Sequence, residues 1–338
     1  MTDLMTDPAT AALPAPPKRR KALWLRELAL LPALVIVFVI GASISDTFLT
    51  FNTIRDILTA AAALSLVVLG ESLVLLTGKF DLSLESTMGI APAVGVMLVI
   101  PAASAGFGTE IPVWLGLLAI PVVGALIGLF NGFLIVKLKL NAFIVTLAML
   151  TILRGTQIGS TKGKTLFDQL DPFTALATTT FAGLPMSVWL AALLFVLFGL
   201  GLRYHRAGRA LYAIGGNREA ARAAGIRVDR ISWAVFIVAG VLAAIGGLAY
   251  TGYVGAIGSN QGDGLILQVF AAAVIGGVSL DGGKGTLVGA LTGVVLLQSV
   301  DYLLHVAQVP AEWLKAIYGG IVLIALIISR YAGGKPQT

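Results

Sequence analysis

Long apolar runs broken by short polar or glycine-rich interruptions make up most of the chain. Runs near 28–45, 55–77, 84–103, 112–136, 141–158, 185–203, 232–252, 264–280, 285–304 and 312–330 approach the ~20 residues that a helix needs to cross a bilayer. In hydrocarbon every backbone N–H and C=O must be satisfied within the segment, so runs of this kind are expected to be helices. The expected fold class is therefore all-α: a polytopic membrane protein with about ten transmembrane helices. Its parts would be a polar tail over 1–27, a transmembrane domain over 28–330 and a second tail over 331–338. Two polar connections within the domain are long enough to meet partners, one at 159–184 and one at 204–231.

Composition agrees with the pattern. Of 338 residues, 57% are hydrophobic and 12% charged, with a mean hydropathy of +0.94, against roughly 25% charged in an ordinary soluble domain. Cysteine is absent, which excludes disulfide frameworks, thiolate nucleophiles and Cys-based zinc sites. The two histidines, His205 and His305, are a hundred residues apart. No cofactor and no metal is expected. A formal charge of +6 would suggest nucleic acid as partner in a soluble protein, but here the positions of the cations matter more than their sum. With the basic run Lys18–Lys21 inside, ten crossings put 18 of the 23 Lys and Arg on the cytoplasmic side, as the positive-inside rule requires. Arg55, Arg154, Lys162, Lys164 and Lys315 remain outside, three of them at span edges where long side chains reach headgroups. This arithmetic expects both termini to be cytoplasmic.

Polar residues within apolar spans are costly unless they face protein or water, and that makes them candidates for a translocation path. Glu71, Asn131, Asn141, Gln157, Gln268, Gln298 and Asp301 qualify, with interhelical hydrogen bonding as the alternative for each. Glu71 is the most expensive to bury, and it is taken as the one acid well inside a span. Two short connections occupy analogous places in the two halves: Gly78-Lys79-Phe80-Asp81 and the glycine-rich run Gly276–Thr286, which carries Asp281. Paired interruptions of this kind point to a gate or path, against tight turns whose glycines supply positive φ. Glycines four apart, as in Gly124–Gly128–Gly132 and Gly289–Gly293, signal close helix packing and are expected to pair two copies of the subunit.

In the inner connection Asn217 is a suitable N-cap, Arg218–Ala224 favours helix and Gly225 suits the position after the last turn. A helix of about two turns is marginal alone in water, so this one needs something to pack against, such as a groove on a partner protein. No nucleotide-binding loop is present. A phosphate loop requires glycine, any four residues, then Gly-Lys-Ser/Thr, but Val278 stands where the first glycine should be before Gly283-Lys284, and Gly285 follows the lysine.

The run Glu219-Ala220-Ala221-Arg222-Ala223-Ala224-Gly225 resembles the Glu-Ala-Ala-x-x-x-Gly core in the cytoplasmic loop of ABC importer permeases. GRALYAIGGNREAARAAGI resembles that loop in their ribose/xylose/galactoside branch. GKFDLSLES at 78–86, NGFLIVKLKLNAFIVTLAMLTILRG at 131–155 and AAAVIGGVSLDGGKGTLVGALTG at 271–293 are similar to the same branch, so the likeness extends from about 60 to 330. Lys79, Phe80, Leu84 and Glu85 depart from its usual first motif. The resemblance implies a fold closer to the ten-span vitamin B12 importer class than to the maltose type, in a homodimer in the cytoplasmic membrane of a prokaryote. It also implies an ATPase subunit inside and an extracytoplasmic sugar-binding protein. Residues Asn217, Arg218, Glu219, Ala220, Ala221, Arg222 and Gly225 would form a helix that couples to the ATPase, and Glu71, Asp81, Asn131, Asn141, Gln268 and Asp281 the path or gate. Permeases for nucleosides, branched-chain amino acids or autoinducer remain alternatives, as does an ion-coupled transporter. An enzyme is not expected, because no nucleophile, base or metal set is clustered.

Overall fold

The computed structural model describes residues 30–168 and 171–331; the expected basic cluster at 18–21 and all but Tyr331 of the C-terminal tail lie outside them. The chain is helical in the order α1 Leu31–Ile44, α2 Phe51–Leu76, α3 Leu84–Met97, α4 Val113–Gly132, α5 Ala142–Ser160, α6 Asp171–Thr178, α7 Met186–Tyr204, α8 Arg206–Gly216, α9 Arg218–Ala223, α10 Val228–Val254, α11 Leu265–Ile275, α12 Leu287–Val306 and α13 Ala311–Tyr331. A two-stranded hairpin, Thr180–Phe181 with Leu184–Pro185, separates α6 from α7.

Each of the ten expected runs contains a helix, but a count of ten crossings is not confirmed. Among the described residues six helices are long and apolar enough to cross a membrane: α2, α4 with the π turn that extends it to Lys137, α5, α7, α10 and α12. By contrast α1 and α3 have 14 residues and α11 has 11. At 1.5 Å per residue α3 is about 21 Å long, short of the ~30 Å hydrocarbon core. Its surroundings explain how it stays short. Every residue of α3 except Val94 is buried, and irregular backbone at membrane depth is tolerated where protein encloses it. After α3 the chain closes on itself, with Phe107 N–H donating to Met97 C=O at 2.8 Å and Ile111 N–H to Leu98 C=O at 3.0 Å.

The core is built on α2 and α10. From Ala61 to Thr77 every residue is buried, and Val67, Leu69 and Leu75 pack with Phe236, Ala239 and Ala243 of α10 and with Ala271–Ala273 of α11. The glycine repeats lie inside this protomer, which corrects the expectation that they pair two copies. A Cβ at Gly124 would overlap the Gly240 carbonyl, one at Gly128 the Phe236 carbonyl, and one at Gly293 the Ala272 carbonyl. Their missing side chains let α4 approach α10 and α12 approach α11, backbone against backbone.

The connection at 159–184 folds over this bundle. Leu166 and Ile257 exchange backbone hydrogen bonds at 2.9 and 3.1 Å, and Phe173 of α6 is fully buried with Ile257, Ile100 and Ile120.

Candidate functional site

The expected two-turn helix is α9, six residues long. The Asn217 side chain accepts from Ala220 N–H at 2.9 Å, satisfying one of the helix's free donors. Gly225, at φ +81°, ends it: Gly225 N–H reaches Arg222 C=O and Ile226 N–H reaches Ala221 C=O, each at 3.0 Å. This 5→2 and 6→1 pair is the Schellman motif, which a left-handed glycine favours. Ala221 is buried with Ile214 of α8 and Val228 of α10, and Ile226 packs against them. Arg218 and Arg222 both meet the Asp229 carboxylate, at 2.9 and 3.0 Å. Glu219, Ala220, Ala223 and Ala224 face outward. A helix too short to hold itself is thus capped at both ends and tied to α8 and α10, with one small-residue face free. Asp229 was not singled out in the sequence, though an acid a few residues beyond two arginines was the available signal.

The structure brings the two analogous turns together. Gly283 N–H donates to the Leu76 carbonyl at 3.0 Å, so the glycine-rich turn hydrogen-bonds the end of α2. Gly215 of α8 lies against both; a Cβ there would overlap Leu76 C=O and the Gly283 amide. Tyr212 Oη donates to Gly285 C=O at 2.9 Å. Lys79, half-buried in the first turn, has its amine held below the ordinary lysine range by burial and then by the charge of Arg218, with Asp229 acting in the opposite sense. The mount of α9 and the two turns therefore form one unit. Asp281 is exposed at its surface, and its backbone N–H reaches Ser279 Oγ at 3.3 Å.

Three expected path residues meet in the interior. Asp81 Oδ1 accepts from Ser83 Oγ at 2.6 Å and from Asn131 Nδ2 at 3.4 Å. Asn131 Nδ2 also donates to Ser83 Oγ at 2.7 Å, and Glu71 Oε1 accepts from Asp81 N–H at 3.4 Å. All four side chains are buried, and Glu71 Oε2, Asp81 Oδ2 and Asn131 Oδ1 have no hydrogen-bond partner among the described residues. Asn141 is elsewhere. It caps α5, accepting from Ile144 N–H at 3.2 Å, and is exposed.

Gln268 lines a separate cavity of about 120 Å³ with Gln298, Asp301, Tyr250, Tyr253 and Met88. Its wall includes two amides, a carboxylate and two phenols, groups suited to hydrogen-bonding a neutral hydroxylated molecule. Behind Met88 lies a clasp that sequence reasoning missed. Glu85, 4% exposed, pairs with Arg154, 13% exposed, at 2.9 Å. Arg154 also donates to Gln261 C=O at 2.6 Å, and Glu85 Oε2 accepts from Ile266 N–H at 2.9 Å. Gln261 Nε2 donates to Met88 C=O at 3.2 Å, and Gln157 Nε2 to Gly258 C=O at 3.0 Å. Together these hold the irregular segment between α10 and α11. Glu71 is therefore not the one acid within the bundle, and Arg154 turns inward to Glu85 instead of reaching a headgroup.

A polytopic helical bundle with discontinuous helices at its centre and a capped helix on its surface has the architecture of a membrane permease. A family model described as "Branched-chain amino acid transport system / permease component" matches residues 53–326, and the chain belongs to that family. Among relatives, the chain is 35% identical over 304 residues to the "Autoinducer 2 import system permease protein LsrC" of Klebsiella pneumoniae, covering 90% of this chain and 86% of that protein. It is 31% identical over 309 residues to the "Ribose import permease protein RbsC" of Escherichia coli K12, covering 90% and 94%. No solved structure matches. This chain is a membrane-spanning importer permease.

Proposed function

We propose that the chain is the permease subunit of an ATP-dependent importer for a sugar or sugar-like solute, working by alternating access. The relatives named for ribose and autoinducer 2 support a small hydroxylated cargo, and the amide and phenol groups around Gln268 suit one. An extracytoplasmic binding protein would deliver it, and two copies of the chain would enclose the path. Energy comes from a separate ATPase subunit that grips the free face of α9. The end of the bundle carrying α8 and α9 is then cytoplasmic, in agreement with its seven arginines between Arg203 and Arg230.

The observation that carries this reading is the mechanical continuity from α9 to the two turns. Ion pairs to Asp229 and the buried Ala221 fix α9 to α8 and α10, and Gly215 of α8 abuts both Leu76 and Gly283. Movement of α9 would reach the ends of α2 and α11 as a rigid-body shift. The candidate path residues Glu71 and Asn131 hydrogen-bond Asp81 of the first of those turns.

The test is reconstitution of the chain with and without its ATPase and binding protein. Uptake is expected only with both and with ATP, and Glu219→Arg or Gly225→Pro should abolish it while the complex remains in the membrane. Uphill uptake by this chain alone would overturn the assignment.

A further inference from the structure

A groove of about 380 Å³ opens where α7, α8 and α10 meet, with Leu73 of α2 at its floor. It is distinct from the Gln268 cavity and shares no residue with it. Its walls are apolar, including Phe198, Leu202, Leu211, Val235 and Val238, and His205 is the one polar side chain among its lining residues. Two of its walls, α7 and α10, are membrane-crossing helices, so hydrocarbon is the solvent at its side. The unusual feature is the mouth. His205 and Ala207 line the groove, and Arg203, Arg206 and Arg209 alternate with or flank them, all three exposed.

Contacts with Tyr204 hold two of these cations at the mouth. Arg209 donates to Tyr204 C=O at 3.3 Å, and the Arg203 guanidinium sits 5.3 Å from the centre of the Tyr204 ring. Among the described residues none of the three pairs with a carboxylate. The N-terminus of α8 opens at the same place, with His205 Nδ1 accepting from Ala207 N–H at 3.2 Å, and its remaining free N–H groups add positive potential. Tyr204 is exposed at the end of α7, in the position that aromatic side chains favour at a membrane boundary. An apolar slot below a cluster of guanidinium groups with no carboxylate partner among the described residues matches one kind of molecule: an acyl chain carrying a negative headgroup.

We propose that this groove binds one anionic phospholipid, with an acyl chain against Leu202, Leu211 and Val235 and the phosphate against Arg203, Arg206 and Arg209. Basic recesses between spans are suited to such headgroups, and guanidinium groups hydrogen-bond phosphate oxygens in pairs. The lipid would brace α8, whose last residue Gly216 adjoins the Asn217 cap of α9, against α7 and α10.

The test compares phosphatidylglycerol with phosphatidylcholine, retained by the intact chain and its copurifying subunits and counted by native mass spectrometry. Cations near an anionic surface each add to the attraction, so three arginines should favour the anionic lipid by roughly a hundredfold. R203Q/R206Q/R209Q should abolish that preference. Gly201 lines the groove and a Cβ there meets nothing within 4 Å, so Gly201→Phe should fold, fill the slot and lose the lipid with its arginines intact. Equal retention of both lipids would overturn the proposal, as would retention unchanged in either variant. Because the chain has no cysteine, Gly201→Cys offers a further check: oxidative cross-linking to a second copy would show that the groove is an interface between protomers, and the proposal would fall.

Discussion

Glu85 and Arg154 form an ion pair of 2.9 Å across α3 and α5, and each partner also holds backbone of the segment leading into α11: Gln261 C=O for the arginine, Ile266 N–H for the glutamate. The pair therefore joins three parts of the bundle. Its second bonds satisfy polar groups that an irregular segment would otherwise leave bare at membrane depth.

Losing one partner should cost far more than losing both. Arg154→Met leaves the buried Glu85 unpaired, a change that destabilises by about 3–5 kcal/mol. Replacing both, as Glu85→Leu with Arg154→Met, should recover much of the loss. Thermal unfolding in lipid of the unaltered chain, Arg154→Met, Glu85→Leu and the double variant checks this; equal losses in the single and double variants would contradict it.

Gly215 and Gly216 are adjacent and should respond oppositely to alanine. At Gly215 the added methyl runs into the Leu76 carbonyl and the Gly283 backbone, whereas at Gly216 it meets nothing within 4 Å. Backbone has little room to yield. Transport and solute-stimulated ATPase activity should fall sharply in Gly215→Ala and stay near normal in Gly216→Ala, measured at equal amounts of protein in the membrane.

Gln268 lines a cavity, whereas Asn141 caps a helix. Gln268→Leu should raise the solute concentration needed for half-maximal uptake, because it removes hydrogen-bonding capacity from the cavity wall. Asn141→Ala should leave uptake kinetics unchanged and lower stability by about 1 kcal/mol, the usual loss of a helix cap. Uptake titrations and melting curves on both variants distinguish the two roles.

Lys79 provides a pH readout of the α9 mount. Its amine is held low first by burial and then by Arg218, and raised by Asp229, so in the folded protein it loses its proton at a lower pH than a free lysine, near 10.4. The cost of keeping it charged is present below the folded value and disappears as pH rises through it. Asp229→Asn should depress the value further, and Arg218→Gln should move it back toward the free one. Amine acylation of Lys79 followed against pH gives the order.

Much of the architecture was legible in the hydrophobic pattern. The existence and approximate limits of the helices follow from apolar runs, because hydrocarbon leaves the backbone few alternatives to intrasegment bonding. The ends of α9 were equally plain, since Asn217 and Gly225 act on their immediate neighbours. Span length was harder. The sequence of α3 is as apolar as a crossing helix, and only its enclosure by protein on all sides lets it stop after 14 residues.

Chemistry that depends on neighbours distant in the chain came from the tertiary structure. Glu71 and Asn131 stood out one by one as polar residues within apolar spans and Asp81 as part of a short connection, yet their meeting depends on how α2, the 77–83 turn and α4 pack. Glu85 read as a departure from a motif and Arg154 as a span-edge cation; an acid and a base within apolar runs was the signal, and their separation along the chain concealed it. The glycine repeats announced close packing without naming the partner, because a missing side chain specifies an approach distance and not which surface arrives. Sequence thus determined the solvent, the helices and the local caps, all properties of short windows. Pairing of charges, the surface each glycine meets and the depth each turn reaches were decided by the fold, since they depend on which helices become neighbours.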